Sequence, residues 1–123
     1  MTDWNNKQPI FHQIKDLIEA QILQGIWQEG CVLPSVRRVA MEMKINHLTV
    51  MKAYQLLVDE QIIEKKRGQG MYVLSGAVNK LKKEKKQRFL EEQIPQIITT
   101  LKGIDMPLAT FIKALEQQIK DGK

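Results

Sequence analysis

The sequence predicts a mostly α-helical chain with one small β-hairpin and a helical tail, and three observations carry that prediction. Apolar residues recur at steps of three and four through residues 10–22, 36–57 and 81–119. A single pair of β-prone runs flanks the tip Gly68-Gln69-Gly70. The composition, 43% hydrophobic and 27% charged, is that of a chain able to build a core.

The first helix is predicted from Pro9 to Gln24. Ile10, Ile14, Leu17, Ile18 and Ile22 form its stripe, with Lys15, Asp16 and Glu19 between them. Pro9 suits a first helical turn and Gly25 suits the stop. The segment GIWQEGCVLPS that follows reads as a loop bringing Leu33 into the core. Ser35 stands as an N-cap before Val36, Val39, Ala40 and Met43, a short amphipathic helix. Lys44, Ile45 and Asn46 interrupt that period. Asn46 can cap the amides of Leu48 or Thr49, and the next stripe is Val50, Ala53, Tyr54 and Leu57. Two helices around a three-residue turn have the geometry of a helix-turn-helix, in which the first braces the second for entry into a major groove.

Beyond Ile62 the period changes to that of strands, and glycine at the tip accepts the positive φ of a tight loop. A basic hairpin in this position reads as a wing. Helical period resumes at Ala77, with a stripe of Leu81, Phe89, Leu90, Ile94, Ile97, Ile98 and Leu101, then Gly103 as a stop. A second tail helix follows, with Leu108, Phe111, Ile112, Leu115 and Ile119 on one side. Pro95 inside the first of these helices is expected to kink or split it. A helix pair this small cannot close a core by itself, so a second copy of the chain is the expected cover. The resulting organisation is a winged helix-turn-helix over residues 1–75 and a helical dimerisation tail over residues 76–123.

The chain has 123 residues, with Lys+Arg 19 against Asp+Glu 14 and a formal charge of +5. That bias permits a polyanionic partner. The densest run is KLKKEKKQR, Lys80 to Arg88, with six basic residues and one acid. It fits a footprint for nucleic-acid phosphates or an acidic lipid surface, or the solvated face of a helix. No stretch is apolar for long enough to span a bilayer, and Met1 to Ile10 lacks the apolar core of a signal peptide. The single cysteine, Cys31, makes no internal disulfide. A cytoplasmic protein is expected.

Taken together, PIFHQI, QGIWQEGCVLPSVRRVA, INHLTVMKAYQLLVDE and IIEKKRGQGMYV, spanning Pro9 to Leu74, resemble the N-terminal winged helix of the GntR family of bacterial transcription regulators. The ordered set LPSVRRVA, TVMKAY and RGQG is far more specific than any one piece. The short tail is similar to that of the YtrA-type branch, whose members lack a large effector-binding domain. The resemblance implies a sequence-specific regulator of duplex DNA, a dimeric repressor on an inverted-repeat operator, with no cofactor. It puts Arg37 on a phosphate or base edge. Asn46, His47, Thr49 and Lys52 would line the outward face of the second helix of the pair, and Arg67, with the backbone of Gly68, would reach the minor groove or its phosphates.

The residues agree with this independently. Arg37, Arg38, Lys52 and Arg67 are the available cationic donors, and Asn46 and His47 lie at a helix N-terminus that favours an anion. Ser35 and Gln69 complete the candidate set. Three departures stand out. The family often has Gly where Lys44 stands, and a Gly before the wing where this chain has Gln61, so the end of the second helix is expected to be strained or longer. Leu48 and Met51 occupy positions more often polar, which implies contact with a thymine methyl or simple packing.

Other chemistry is not signalled. Only two histidines, His12 and His47, are present and neither lies in a ligand cluster, so no metal site is expected. Cys31 has no partner base, Trp4 and Trp27 are too isolated for a single-strand platform, and no catalytic constellation is present. The chain is not expected to be an enzyme. An alternative function is a protein-interaction module that uses the winged helix as scaffold without an operator. A small-molecule effector has room only between the tail helices or at a dimer interface. It would act through the kink at Pro95 and a hinge at Ser75-Gly76.

Overall fold

Proline has no amide hydrogen to leave unpaired at a helix start. In the computed structural model, which describes residues 8–122, α1 (Ile10–Leu23) begins directly after Pro9. Pro9 is thus the N-cap, one place earlier than the first-turn position its sequence context predicts. At the other end Gly25 takes φ +84°, and the amides of Gly25 and Ile26 donate to the carbonyls of Ile22 at 3.1 Å and Gln21 at 2.9 Å. Ile14, Ile18 and Ile22 are buried, while Ile10 at the helix start is exposed.

Local capping explains the next two helices. The Arg38 amide donates to Ser35 Oγ at 3.1 Å to start α2 (Val36–Met43), and the Leu48 amide donates to Asn46 Oδ1 at 2.8 Å to start α3 (His47–Asp59). Lys44, Ile45 and Asn46 form the turn between them. Val50, Ala53, Tyr54 and Leu57 are fully buried, as their spacing predicts. Tyr54 Oη also donates to the Pro34 carbonyl at 2.6 Å, which ties α3 to the chain entering α2. Burial pushes the Tyr54 phenol up to about 12.

Two helix ends in this unit use a left-handed residue that is not glycine. Lys44 has φ 56° and Gln61 has φ 61°. The end of α3 is therefore strained rather than longer: the helix stops at Asp59, and the Ile62 amide closes it on the Leu57 carbonyl at 2.9 Å. A side chain in this region costs about 1–2 kcal/mol, part of which glycine returns as unfolded-state entropy. Gln61→Gly is expected to stabilise the protein by about 1 kcal/mol, read as a higher urea midpoint at unchanged slope; a lower midpoint would refute the strain.

Strands β1 (Ile63–Lys66) and β2 (Gly70–Val73) pair antiparallel, with Ile63 opposite Val73 and Lys66 opposite Gly70. The tip is Arg67, Gly68 and Gln69, with Gly68 at φ +77°. The segment expected to be only a loop does more. Gly30 and Leu33 donate to Val73 and Met71, both at 2.8 Å, and Val73 donates back to Cys31 at 3.0 Å. This covers the outer edge of β2 with a short extended segment, bridged at Val32 and Tyr72, and delivers Leu33 into the core.

The tail is built from α4 (Ala77–Arg88), a π-helical stretch (Phe89–Gln93), α5 (Ile94–Gly103) and α6 (Leu108–Gly122). Pro95 does not split the helix, which stays helical from Ala77 to Gly103. The wider π turn just before it, closed by the Ile94 amide on the Phe89 carbonyl, absorbs the missing hydrogen bond. Gly103 stays helical, and Asp105, at φ 55°, makes the left-handed stop instead. The chain divides into two units between Lys83 and Glu84, beyond the Ser75-Gly76 link. Ala77 and Leu81 belong to the first core.

Nor is that link the hinge its Ser-Gly composition predicts. The Glu29 carboxylate accepts from the amides of Gly76 at 2.9 Å and Val78 at 3.0 Å, capping α4. The same two amides hold the Glu29 carboxyl below its ordinary range. Lys80 Nζ donates to the Glu60 carbonyl at the C-terminus of α3, so α4 is fastened at two points. No described helix is long and apolar enough to cross a membrane.

Candidate nucleic-acid interface

The candidate cationic contacts fall on three elements, and the fold gives each a different constraint. On α2, Ser35, Arg37 and Arg38 lie in or next to the first turn, and all three are exposed. Arg38 Nε donates to Glu42 Oε2 at 3.1 Å, an exposed i,i+4 pair worth only a few tenths of a kcal/mol that a phosphate can displace. Arg37 has no ion pair among the described residues and projects from the same turn.

On α3 the first turn brings Asn46, His47 and Thr49 together. Asn46 spends its carbonyl oxygen on the cap, His47 is exposed, and Thr49 is half-buried. Lys52 follows one turn later on the outward side. Its ammonium sits 4.2 Å from the Phe11 ring centroid, and Phe11 in turn lies 4.7 Å from the His12 ring. Such a contact in an exposed place contributes about 0.5–1 kcal/mol, enough to orient the side chain and too little to consume its charge.

The wing tip supplies the third group. Arg67, Gly68 and Gln69 are exposed, and Lys66 behind them lies 4.1 Å from the Tyr72 ring centroid. Sequence reasoning passed over Lys66 and Phe11. The signal available was a lysine paired across the hairpin near an aromatic, and an aromatic one turn into α1; neither is read without tertiary contacts.

Below this surface lies a buried charge cluster. Lys15 Nζ lies 2.9 Å from Glu19 Oε2 and 3.2 Å from Glu60 Oε1, with Lys15 and Glu19 both nearly inaccessible. Burial works against the charge on Lys15, but the two carboxylates outweigh it, and its pKa is raised. The cluster joins α1 to the C-terminal end of α3.

Among the described residues no group of three His, Cys, Asp or Glu side chains could hold a metal ion. Trp27 is half-buried and donates its indole N–H to Gln21 Oε1 at 2.8 Å, while Trp4 lies outside the described residues.

The same arrangement recurs in known proteins. The family described as "Bacterial regulatory proteins, gntR family" matches residues 11–73. The chain is 36% identical to the HTH-type transcriptional repressor YtrA of Bacillus subtilis, over 98% of this chain and 95% of that protein. A solved GntR-family regulator from Bacteroides thetaiotaomicron superposes with a TM-score of 0.80 at 31% identity, covering 92% of this chain and 99% of its own. The structure of YtrA from Sulfolobus acidocaldarius, a GntR-family transcription factor, matches at a TM-score of 0.57 and 35% identity, over 75% of this chain and 97% of that one. With helix pair, wing and full-length similarity all in agreement, this chain belongs to the GntR family of bacterial regulatory proteins and is a DNA-binding transcription regulator.

Proposed function

We propose that the chain works as a cytoplasmic homodimer that represses transcription from an inverted-repeat operator. Each protomer would set α3 in a major groove and the wing tip against the adjacent backbone. Ser35, Arg37, Arg38, Asn46, His47, Thr49, Lys52, Arg67, Gly68 and Gln69 are the proposed DNA contacts. Repression is supported by the name of the Bacillus subtilis relative.

The observation that carries the dimer is the apolar face of the tail. No residue of α5 or α6 is buried, and Leu108, Ile112, Leu115 and Ile119 lie exposed at i, i+4, i+7 and i+11. Leu108 is 64% and Ile119 72% accessible. Leaving such a stripe in water costs about 25 cal/mol per Å² of apolar surface, and a symmetric partner presents the same stripe in return. Two α3 helices related by a two-fold axis would then meet half-sites about 34–36 Å apart, or a multiple of that.

Analytical ultracentrifugation tests the assembly. The wild-type chain is expected to sediment as a dimer at micromolar concentration, and the double variant Ile112→Asp/Leu115→Asp as a folded monomer. Selection of bound duplexes from a random pool is expected to return inverted repeats. A wild-type monomer, or selected sites without two-fold symmetry, would refute the proposal.

A further inference from the structure

Leu48 and Met51 lie one turn apart on α3, Leu48 opposite the buried stripe of Val50, Ala53, Tyr54 and Leu57 and Met51 on its flank. Leu48 is 68% exposed and Met51 45%, and neither packs against the core. Both thus leave apolar surface in water, Leu48 more of it than Met51. Three of the polar side chains around them are oriented by neighbours within the fold. Asn46 Oδ1 holds the Leu48 amide, Gln55 Nε2 donates to Asp59 Oδ1 at 2.8 Å, and Lys52 rests on Phe11.

We propose that Leu48 and Met51 are specificity residues that read the C5 methyl groups of thymine in the major groove. The proposal rests on the reading of α3 as the groove-entering helix. Of the features a base pair displays in the major groove, the thymine methyl is the only apolar one, and an aliphatic side chain distinguishes it from the bare C5 of cytosine. A second copy of the chain is disfavoured as the occupant by the surrounding charge. Arg37, Arg38 and Lys52 stand on the exposed surface of α2 and α3, and like charges repel one another while attracting a polyanion. The operator half-site should therefore carry thymine where these two residues meet the base edges, with phosphate contacts setting the register.

Deoxyuridine substitution isolates the methyl group, because it keeps every hydrogen-bonding edge and removes only that carbon. Each thymine in a selected half-site is replaced singly and the dissociation constant of the full-length protein is measured. At one or two positions per half-site the constant is expected to rise about three- to tenfold, the effect of one buried methyl. Leu48→Ala or Met51→Ala should bring the thymine-to-uracil ratio at its position close to one while leaving the salt dependence unchanged. Both residues are exposed, so both variants are expected to fold, which circular dichroism checks. Indifference to uracil at every position, or a Leu48→Ala/Met51→Ala protein that keeps the full ratio, overturns the assignment while leaving the DNA-binding reading intact. Failure to bind any duplex at low salt overturns both.

Discussion

Lys15→Met is expected to destabilise the protein by about 3 kcal/mol or more, the largest effect of any single substitution discussed. Methionine keeps the length of the stem, so the loss isolates the charge. The ammonium faces two carboxylates, one of them almost wholly buried, and removing one member of a buried ionic cluster typically costs about 3–5 kcal/mol. The measurement is a urea denaturation midpoint. A loss below about 1 kcal/mol would mean that water relaxes into the cluster and that it is energetically a surface pair. The raised Lys15 pKa sets the pH range of this contribution. It is fully present below 10.5, the ordinary lysine value, and is lost as pH climbs through the higher folded value.

Arg37→Ala/Lys52→Ala/Arg67→Ala is expected to weaken duplex binding by more than a thousandfold, since hydrogen bonds to charged groups contribute about 1.5–3 kcal/mol each and every protomer of the dimer loses three. The salt dependence should change with it. Each lost phosphate contact lowers the log-log slope by about 0.9, so three contacts in each protomer of a dimer remove about five units from its magnitude. A thousandfold loss with an unchanged slope would place these side chains on base edges rather than on phosphates. Unchanged affinity would favour the alternative of a protein-interaction module. None of the three side chains is in the core, so thermal stability should stay within about 1 kcal/mol of wild type.

Features encoded within a few residues were legible in the chain itself. Ser35 and Asn46 cap the helices they precede because a short polar side chain reaches an amide two or three residues on, whatever the rest of the protein does. The buried stripes of α1 and α3, the turn at Lys44 to Asn46, the wing and the exposed cations followed from the same local rules. Gln61 was marked as a point of tension only by the resemblance, which puts a glycine there, and the left-handed conformation does belong to that position.

What escaped depends on partners far away in sequence. Lys15 and Glu19 looked like the wet side of an amphipathic helix, and only Glu60, across the fold, explains why they are inside. The segment Gly30 to Leu33 has no strand periodicity; it pairs because β2 offers an open edge. Pro95 announced an irregularity without saying which. A π turn leaves the helix continuous, an outcome decided by whether the preceding residues can spare one extra position per turn. Leu48 and Met51 were ambiguous because period alone marks a residue as off the stripe and does not say what it meets.

The Glu29 clasp has a mechanical meaning for signalling. A Ser-Gly joint left loose would dissipate any torque arriving from the C-terminal helices. Instead, the carboxylate rivets the start of α4 to the strand-like segment beside the wing, and Lys80 latches that helix to the last carbonyl of α3. The opening turns of α4 are thus pinned to the winged unit from two sides, at Glu29 and beside the end of α3.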